Sequence, residues 1–251
     1  MALLRSLLYY AFQLVFTPLF VTSFLLLFWL PLRQRHLYCR GWVWTALWMI
    51  RHLLGIRYEV KGAENIPEGA FIIMSKHQSA WETIGLQKVF PGSIFVLKKE
   101  LHWIPFFGWA LALNPMIAID RSAKRDALRQ VVTLGTARLK DGYRVIIYPE
   151  GTRVAPGVHG EYKRGGAVLA HHSGFPVVPV AHNAGELWAR NAFIKKPGLV
   201  TVSIGPVIDP SGLKSEQVLR QAEAWIEGEM RRISPHRYPA STTDSHREVT
   251  P

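Results

Sequence analysis

Arg144-Val145-Ile146-Ile147-Tyr148-Pro149-Glu150-Gly151-Thr152-Arg153 is the stretch on which the fold turns. Val145 to Tyr148 are bulky β-branched and aromatic side chains without polar alternation, cut off by Pro149 and Gly151. Such a run reads as a strand covered on both faces. The segment before it has a different period. Between Lys124 and Lys140, the residues Ala127, Leu128, Val131, Leu134 and Leu139 fall on one helical face, and Asp141-Gly142 ends the helix. A one-sided helix feeding a two-sided strand is the repeating piece of an α/β sheet.

Working outward, the same alternation continues. Phe71 to Met74, Ile94 to Leu97 and Met116 to Ile119 are short apolar strands, and Ile56 to Val60 alternates with a period of two. Thr83 to Phe90, Gly165 to His172 and Ser215 to Arg232 read as helices. Val177-Val178-Pro179-Val180 is a strand whose proline suits a sheet edge, and Leu199 to Ile204 is the last strand. The expected fold is α/β, a mixed, largely parallel sheet flanked by helices over residues 55–233. Its ligand cleft should open at the carboxyl ends of the strands. From 234 to 251, Pro, Ser, Thr and charge take over, which predicts a disordered tail.

Residues 1–54 obey other physics. From Ser6 to Leu32 no side chain is charged, a run longer than the roughly 20 residues that cross a bilayer core as a helix. It also outlasts a signal-peptide core, and Pro18 in its middle should kink it. After Arg33, Arg35 and Arg40 comes a shorter apolar stretch with Trp42, Trp44 and Trp48, residues that favour the headgroup boundary. These helices should anchor the chain, either as one spanning helix plus an interfacial one or as a hairpin in one leaflet. The basic link places the rest on the cytoplasmic face, which is the inner membrane in a bacterium. The net charge of +12 calls for a polyanionic neighbour, and this apolar segment selects an anionic membrane surface over nucleic acid. Cys39, the single cysteine, excludes an internal disulfide framework.

Chemistry-bearing residues cluster just past strand ends. Lys76-His77-Gln78-Ser79-Ala80-Trp81-Glu82 follows the Phe71–Met74 strand. A carboxylate one turn beyond a histidine can hold one imidazole nitrogen and leave the other to take a proton; a helix cap is the plainer reading. In the loop after Tyr148, Glu150, Thr152 and Arg153 offer either a phosphate clamp or a solvated turn. Lys98 and Lys99 precede His102-Trp103-Ile104-Pro105-Phe106-Phe107-Gly108-Trp109, which suits a headgroup beside an acyl groove or a charged loop backed by core aromatics. Asp120-Arg121 and Tyr162-Lys163-Arg164-Gly165-Gly166 add cations. Nucleophile-elbow, zinc-helix and P-loop motifs are absent. His171, His172 and His182 have no carboxylate at a useful spacing and read as core or surface histidines, so no metal is expected.

In this order, His77-x4-Glu82, Lys98-Lys99-Glu100-Leu101 with Ile104 to Gly108, Pro149 to Arg153, and Val177 to Val180 resemble the 1-acylglycerol-3-phosphate acyltransferases of the glycerolipid acyltransferase superfamily. The resemblance covers about residues 56–210, with one departure: the first block usually ends in aspartate, and here in Glu82. It implies acyl transfer from acyl-CoA or acyl-carrier protein, as co-substrate and without a cofactor, to the sn-2 hydroxyl of a membrane lipid, 1-acyl-sn-glycerol 3-phosphate, forming phosphatidate. His77 would be the base and Glu82 its orienting partner. Lys98, Arg121, Glu150, Gly151, Thr152 and Arg153 would bind or shape the site for the phosphorylated acceptor, with amides near Gly151 facing the oxyanion. Other acceptors, glycerol 3-phosphate or a lyso-ornithine lipid, form the nearest alternative. A non-catalytic lipid-binding adaptor is the more distant one.

Overall fold

The computed structural model describes residues 1–120 and 123–238. Seven strands form one sheet: β1 (Ile56–Lys61), β2 (Ile72–Ser75), β3 (Ser93–Lys98), β4 (Ile117–Ile119), β5 (Arg144–Ile147), β6 (Val177–His182) and β7 (Gly198–Ile204). Their spatial order is β1-β7-β6-β2-β5-β3-β4. The strands from β6 to β4 run parallel, while β7 is antiparallel to β6 and pairs in parallel with β1. The helices are α1 (Ala2–Leu25), α2 (Leu32–Met49), α3 (Trp81–Val89), α4 (Phe107–Ala112), α5 (Lys124–Lys140), α6 (Gly165–Ser173), α7 (Ala184–Leu187) and α8 (Ser215–Ile233). The expected mixed, largely parallel α/β sheet is what forms.

Because side chains alternate along a strand, each central strand feeds two cores. Ile72, Met74, Val145 and Ile147 face one way, with Val131 of α5, Leu169 of α6 and Ala222 of α8. Ile73, Ile146 and Phe95 face the other way, with Trp81 and Leu86 of α3. That second core also holds Tyr9, Val43, Ala46, Ile50 and Leu54. Full burial of a large apolar side chain is worth about 1.5–3 kcal/mol, so α1 and α2 contribute to the stability of the α/β unit. Residues on both sides of position 54 thus share one core.

Helix α1 is long and apolar enough to cross a membrane, and Pro18 sits within it without ending it. Both of its ends touch the rest of the protein. Near the start, Ser6 Oγ accepts from the Lys195 amide at 3.0 Å and Tyr9 meets Trp188 edge-on at 5.6 Å. Near the finish, Val21 and Phe24 are buried beside α2 and α4.

One expectation needs correction. Pro179 lies in an interior strand, between β7 and β2. The ladder to β7 begins only at Val180↔Ile204, and Pro179 contributes its carbonyl, which accepts from Gly205 N at 2.9 Å. Its missing N–H falls where β7 has already ended, so nothing is lost. At the other end, Ser234 to Tyr238 pack on the domain. Ser234 and Tyr238 are buried, and Gln78 Nε2 donates to the Tyr238 hydroxyl at 2.7 Å. The remainder of the expected tail, 239–251, lies outside the described residues.

Candidate active site

Strand order brings the candidate residues together. β2 is flanked by β5 on one side and β6 on the other, all parallel, so their carboxyl ends open on the same edge. The loop after β2 carries His77 and Glu82, the loop after β5 carries Tyr148 to Arg153, and β6 ends at His182.

His77 Nδ1 lies 2.8 Å from Glu82 Oε1. An ionised carboxylate only accepts, so Nδ1 holds the proton and Nε2 presents its lone pair. No hydrogen bond among the described residues claims Nε2, and the His77 side chain retains 14% exposure against 0% for Glu82. The same Oε1 accepts from the amides of Gln78 at 3.0 Å and Ser79 at 2.9 Å. Burial acts to raise the Glu82 pKa, but His182, His77 and the Ser79 amide outweigh it and hold it below the ordinary value. Glu82 sits in the first turn of α3, and its length lets it reach back over the turn to those amides. The helix is locked from beneath, since a Cβ on Gly85 would lie 2.5 Å from the Trp81 ring. The His77 ring stacks on Tyr148 at 4.0 Å between centroids, nearly coplanar at 15°.

Behind this pair lies a buried ionic cluster absent from the sequence reading. Lys76 Nζ donates to Glu150 at 2.6 Å, to Glu227 of α8 at 2.7 Å and to the Val158 carbonyl at 3.1 Å. Tyr162 adds a bond to Glu227 at 2.8 Å. Burial pulls the Lys76 pKa down, and its two glutamates more than restore it, leaving it raised. Glu150 Oε2 accepts from the His77 amide at 2.8 Å. Buried on these partners, Glu150 shapes the loop that presents His77 and makes no contact with the open cleft. The Val154 amide fastens the same loop to the His77 carbonyl at 2.8 Å. The sequence held one signal for Lys76, a lysine two residues past the uninterrupted apolar run Phe71 to Met74. Glu227 had none, because only the packing of α8 brings it there.

Gly151 adopts φ +66°, and its N–H is committed to the Tyr148 carbonyl at 3.0 Å, which removes that amide from an oxyanion role. A Cβ on it would come within 3.2 Å of Lys163 Nζ. Next to it opens a cleft of about 510 Å³ with Arg125, Lys163 and Arg164 among its lining residues and an apolar wall including Ile119, Leu128 and Val131. Arg125 of α5, and Lys163 and Arg164 just before α6, thus stand around the same cleft as Tyr148, Pro149 and Gly151. Arg153 is half-buried beside Tyr148, and Thr152 is exposed. Lys98 is exposed at the end of β3, one strand beyond β5, and Lys99 pairs with Asp120 at 2.5 Å. Arg121 lies outside the described residues.

The aromatic segment after Lys99 takes neither of its expected roles in full. Trp103 is 84% exposed and Ile104, Phe106 and Trp109 are also exposed, while Phe107 helps line an apolar pocket between α1, α2 and α4. Phe106 sits at φ 61°, ψ −61° in a γ-turn closed by Phe107 N to Pro105 O at 2.7 Å.

The sequence model of the acyltransferase family matches residues 57–183. A 1-acyl-sn-glycerol-3-phosphate acyltransferase of Pseudomonas aeruginosa is 47% identical over 210 residues, 82% of each chain. The human 1-acyl-sn-glycerol-3-phosphate acyltransferase alpha is 31% identical over 172 residues, 67% of this chain and 61% of the human one. The crystal structure of the 1-acyl-sn-glycerophosphate acyltransferase of Thermotoga maritima, 24% identical, superposes with a TM-score of 0.77 over 93% of this chain and 97% of that one. Matching family model, close relatives and fold agree, and the chain belongs to the 1-acyl-sn-glycerol-3-phosphate acyltransferase family.

Proposed function

We propose that the protein transfers a fatty acyl group from an acyl thioester, acyl-CoA or acyl-carrier protein, to the sn-2 hydroxyl of 1-acyl-sn-glycerol 3-phosphate. The products are phosphatidate and the free thiol. The observation that carries this reading is His77, whose side chain is partly exposed with no hydrogen bond on Nε2 among the described residues, while Nδ1 is held by the buried Glu82 at 2.8 Å. Nε2 takes the hydroxyl proton as the oxygen attacks the thioester carbonyl, the C–S bond breaks, and the imidazolium returns the proton to the departing thiolate. No covalent acyl-enzyme and no cofactor are required. Glu82 keeps the tautomer and stabilises the imidazolium. Arg153, with Lys163, Arg164 and Arg125, supplies the positive rim for the phosphate, and the apolar wall of the 510 Å³ cleft suits the acceptor's acyl chain. Lys98 and Thr152, both exposed, take outer places on that rim.

The protein works at the membrane surface, held by α1, α2 and the exposed aromatics around Trp103, with the α/β unit on the cytoplasmic face. Contact of both α1 ends with the α/β unit supports a hairpin in one leaflet over a spanning helix. Purified enzyme offered 1-acyl-sn-glycerol 3-phosphate, glycerol 3-phosphate and a lyso-ornithine lipid against both thioesters tests the reading. The first acceptor should be preferred. His77→Ala should lower turnover by about 10²–10⁴-fold, and Arg153→Ala should chiefly raise KM for the phosphorylated acceptor. Near-normal turnover by His77→Ala rules out His77 as the base.

A further inference from the structure

Glu82 stands between two imidazoles. Its Oε1 is saturated by His77, Gln78 and Ser79. Its Oε2 is buried, accepts no hydrogen bond, and lies 3.9 Å from Nε2 of His182. His182 closes β6 and is itself 0% exposed. Its Nε2 is 2.8 Å from the carbonyl oxygen of Lys76, and a carbonyl only accepts, so Nε2 carries the proton. Nδ1 receives the Ala184 amide at 3.4 Å. A neutral ring thus turns its N–H edge to two places at once: the carbonyl immediately before His77 and the unoccupied oxygen of Glu82.

We propose that His182 is a positioning residue for acyl transfer, whose Nε2–H anchors the Lys76 carbonyl and draws on the charge of Glu82, thereby setting how tightly His77 holds the proton it removes. This rests on His77 acting as the base. The extra methylene of Glu82 gains a meaning from it, because the longer side chain sets the carboxylate between the two rings. Burial lowers the pKa of His182 more than Glu82 raises it, so the net direction is down, as expected for a neutral ring. The other charged or titratable groups around the pair are Lys76 and Glu150 behind it, Tyr148 stacked on His77, and Arg153 beyond Tyr148. None changes when His182 alone is replaced.

The pH profile of kcat/KM tests this, since its acid limb follows the protonation of the base in the free enzyme. In His182→Gln the amide nitrogen falls where Nε2 lies and can donate to the same two acceptors. In His182→Asn it reaches only as far as Nδ1 does. Without the donor, Glu82 directs its full charge at His77, so the proton is held more tightly and the limb moves to higher pH. His182→Gln should keep the wild-type limb, and His182→Asn should move it up by about half a unit, a roughly threefold change in proton affinity. Thermal unfolding checks that each variant is folded, and His182→Leu, which cannot donate, replaces Asn if Asn is not folded. A folded non-donating variant with the wild-type limb overturns the proposal, as does an equal shift in Gln and Asn. Wild-type enzyme with no His77-dependent transfer overturns the functional reading and this proposal together, whereas His77-dependent transfer indifferent to His182 overturns this one alone.

Discussion

Glu82 is the residue on which the chemistry of the site is balanced. Its Oε1 takes three donors within 3.0 Å, and its Oε2 faces His182. An aspartate at this point of α3 would draw the carboxylate back by one bond and give up either the loop amides or His77. Glu82→Asp should therefore lower kcat/KM about tenfold, near 1.4 kcal/mol of transition-state stabilisation, although aspartate is the residue expected from the family pattern. Unchanged kinetics would mean that the loop follows the shorter side chain and that the methylene carries no function. His77 and Glu82 were legible as a pair because they share one loop and one helical turn. His182 was not, being 100 positions away and brought in by the pairing of β6 with β2.

Among the elements, β2, the loop after β5 and α8 are joined through one ammonium group. Lys76 is fully buried with Glu150 and Glu227. Removing the cation leaves two carboxylates without a counter-charge in a low dielectric, a loss of about 3–5 kcal/mol for a broken buried pair. Lys76→Met should accordingly lower stability by that amount in denaturant unfolding. It should lower turnover as well, because Glu150 also holds the His77 amide. A variant as stable as wild type would show that one glutamate takes up a proton at little cost. The boundaries of most strands and of α5 and α8 were legible, since period and turn residues are local, whereas the basic stretch Arg33 to Arg40, expected as a link, is the first half of α2. The interior place of β6 was not legible, because whether a proline is tolerated depends on where its neighbour's ladder stops.

For the whole molecule, the balance of buried and exposed apolar surface decides location. Leu14, Trp44, Trp48 and Trp103 remain 54% exposed or more, and they project from α1, α2 and the segment before α4. The double variant Trp103→Ser with Phe106→Ser should weaken partitioning onto vesicles containing anionic phospholipid by about a hundredfold or more, from the roughly 1.5–3 kcal/mol that each large apolar side chain gains on burial. Its thermal midpoint should stay near wild type, because exposed positions carry little folding stability. Flotation equal to wild type would remove this segment from the membrane contact. What the sequence determined by itself was everything carried by local spacing: the alternation of helix and strand, the apolar amino terminus, and the ordered motifs past the strand ends. Tertiary structure alone decided that α1 and α2 share a core with the sheet, that Glu150 is spent on Lys76, and that a second histidine meets Glu82. Those facts depend on which strands lie side by side, and hydrogen-bond pairing between distant segments leaves no periodic trace in the chain.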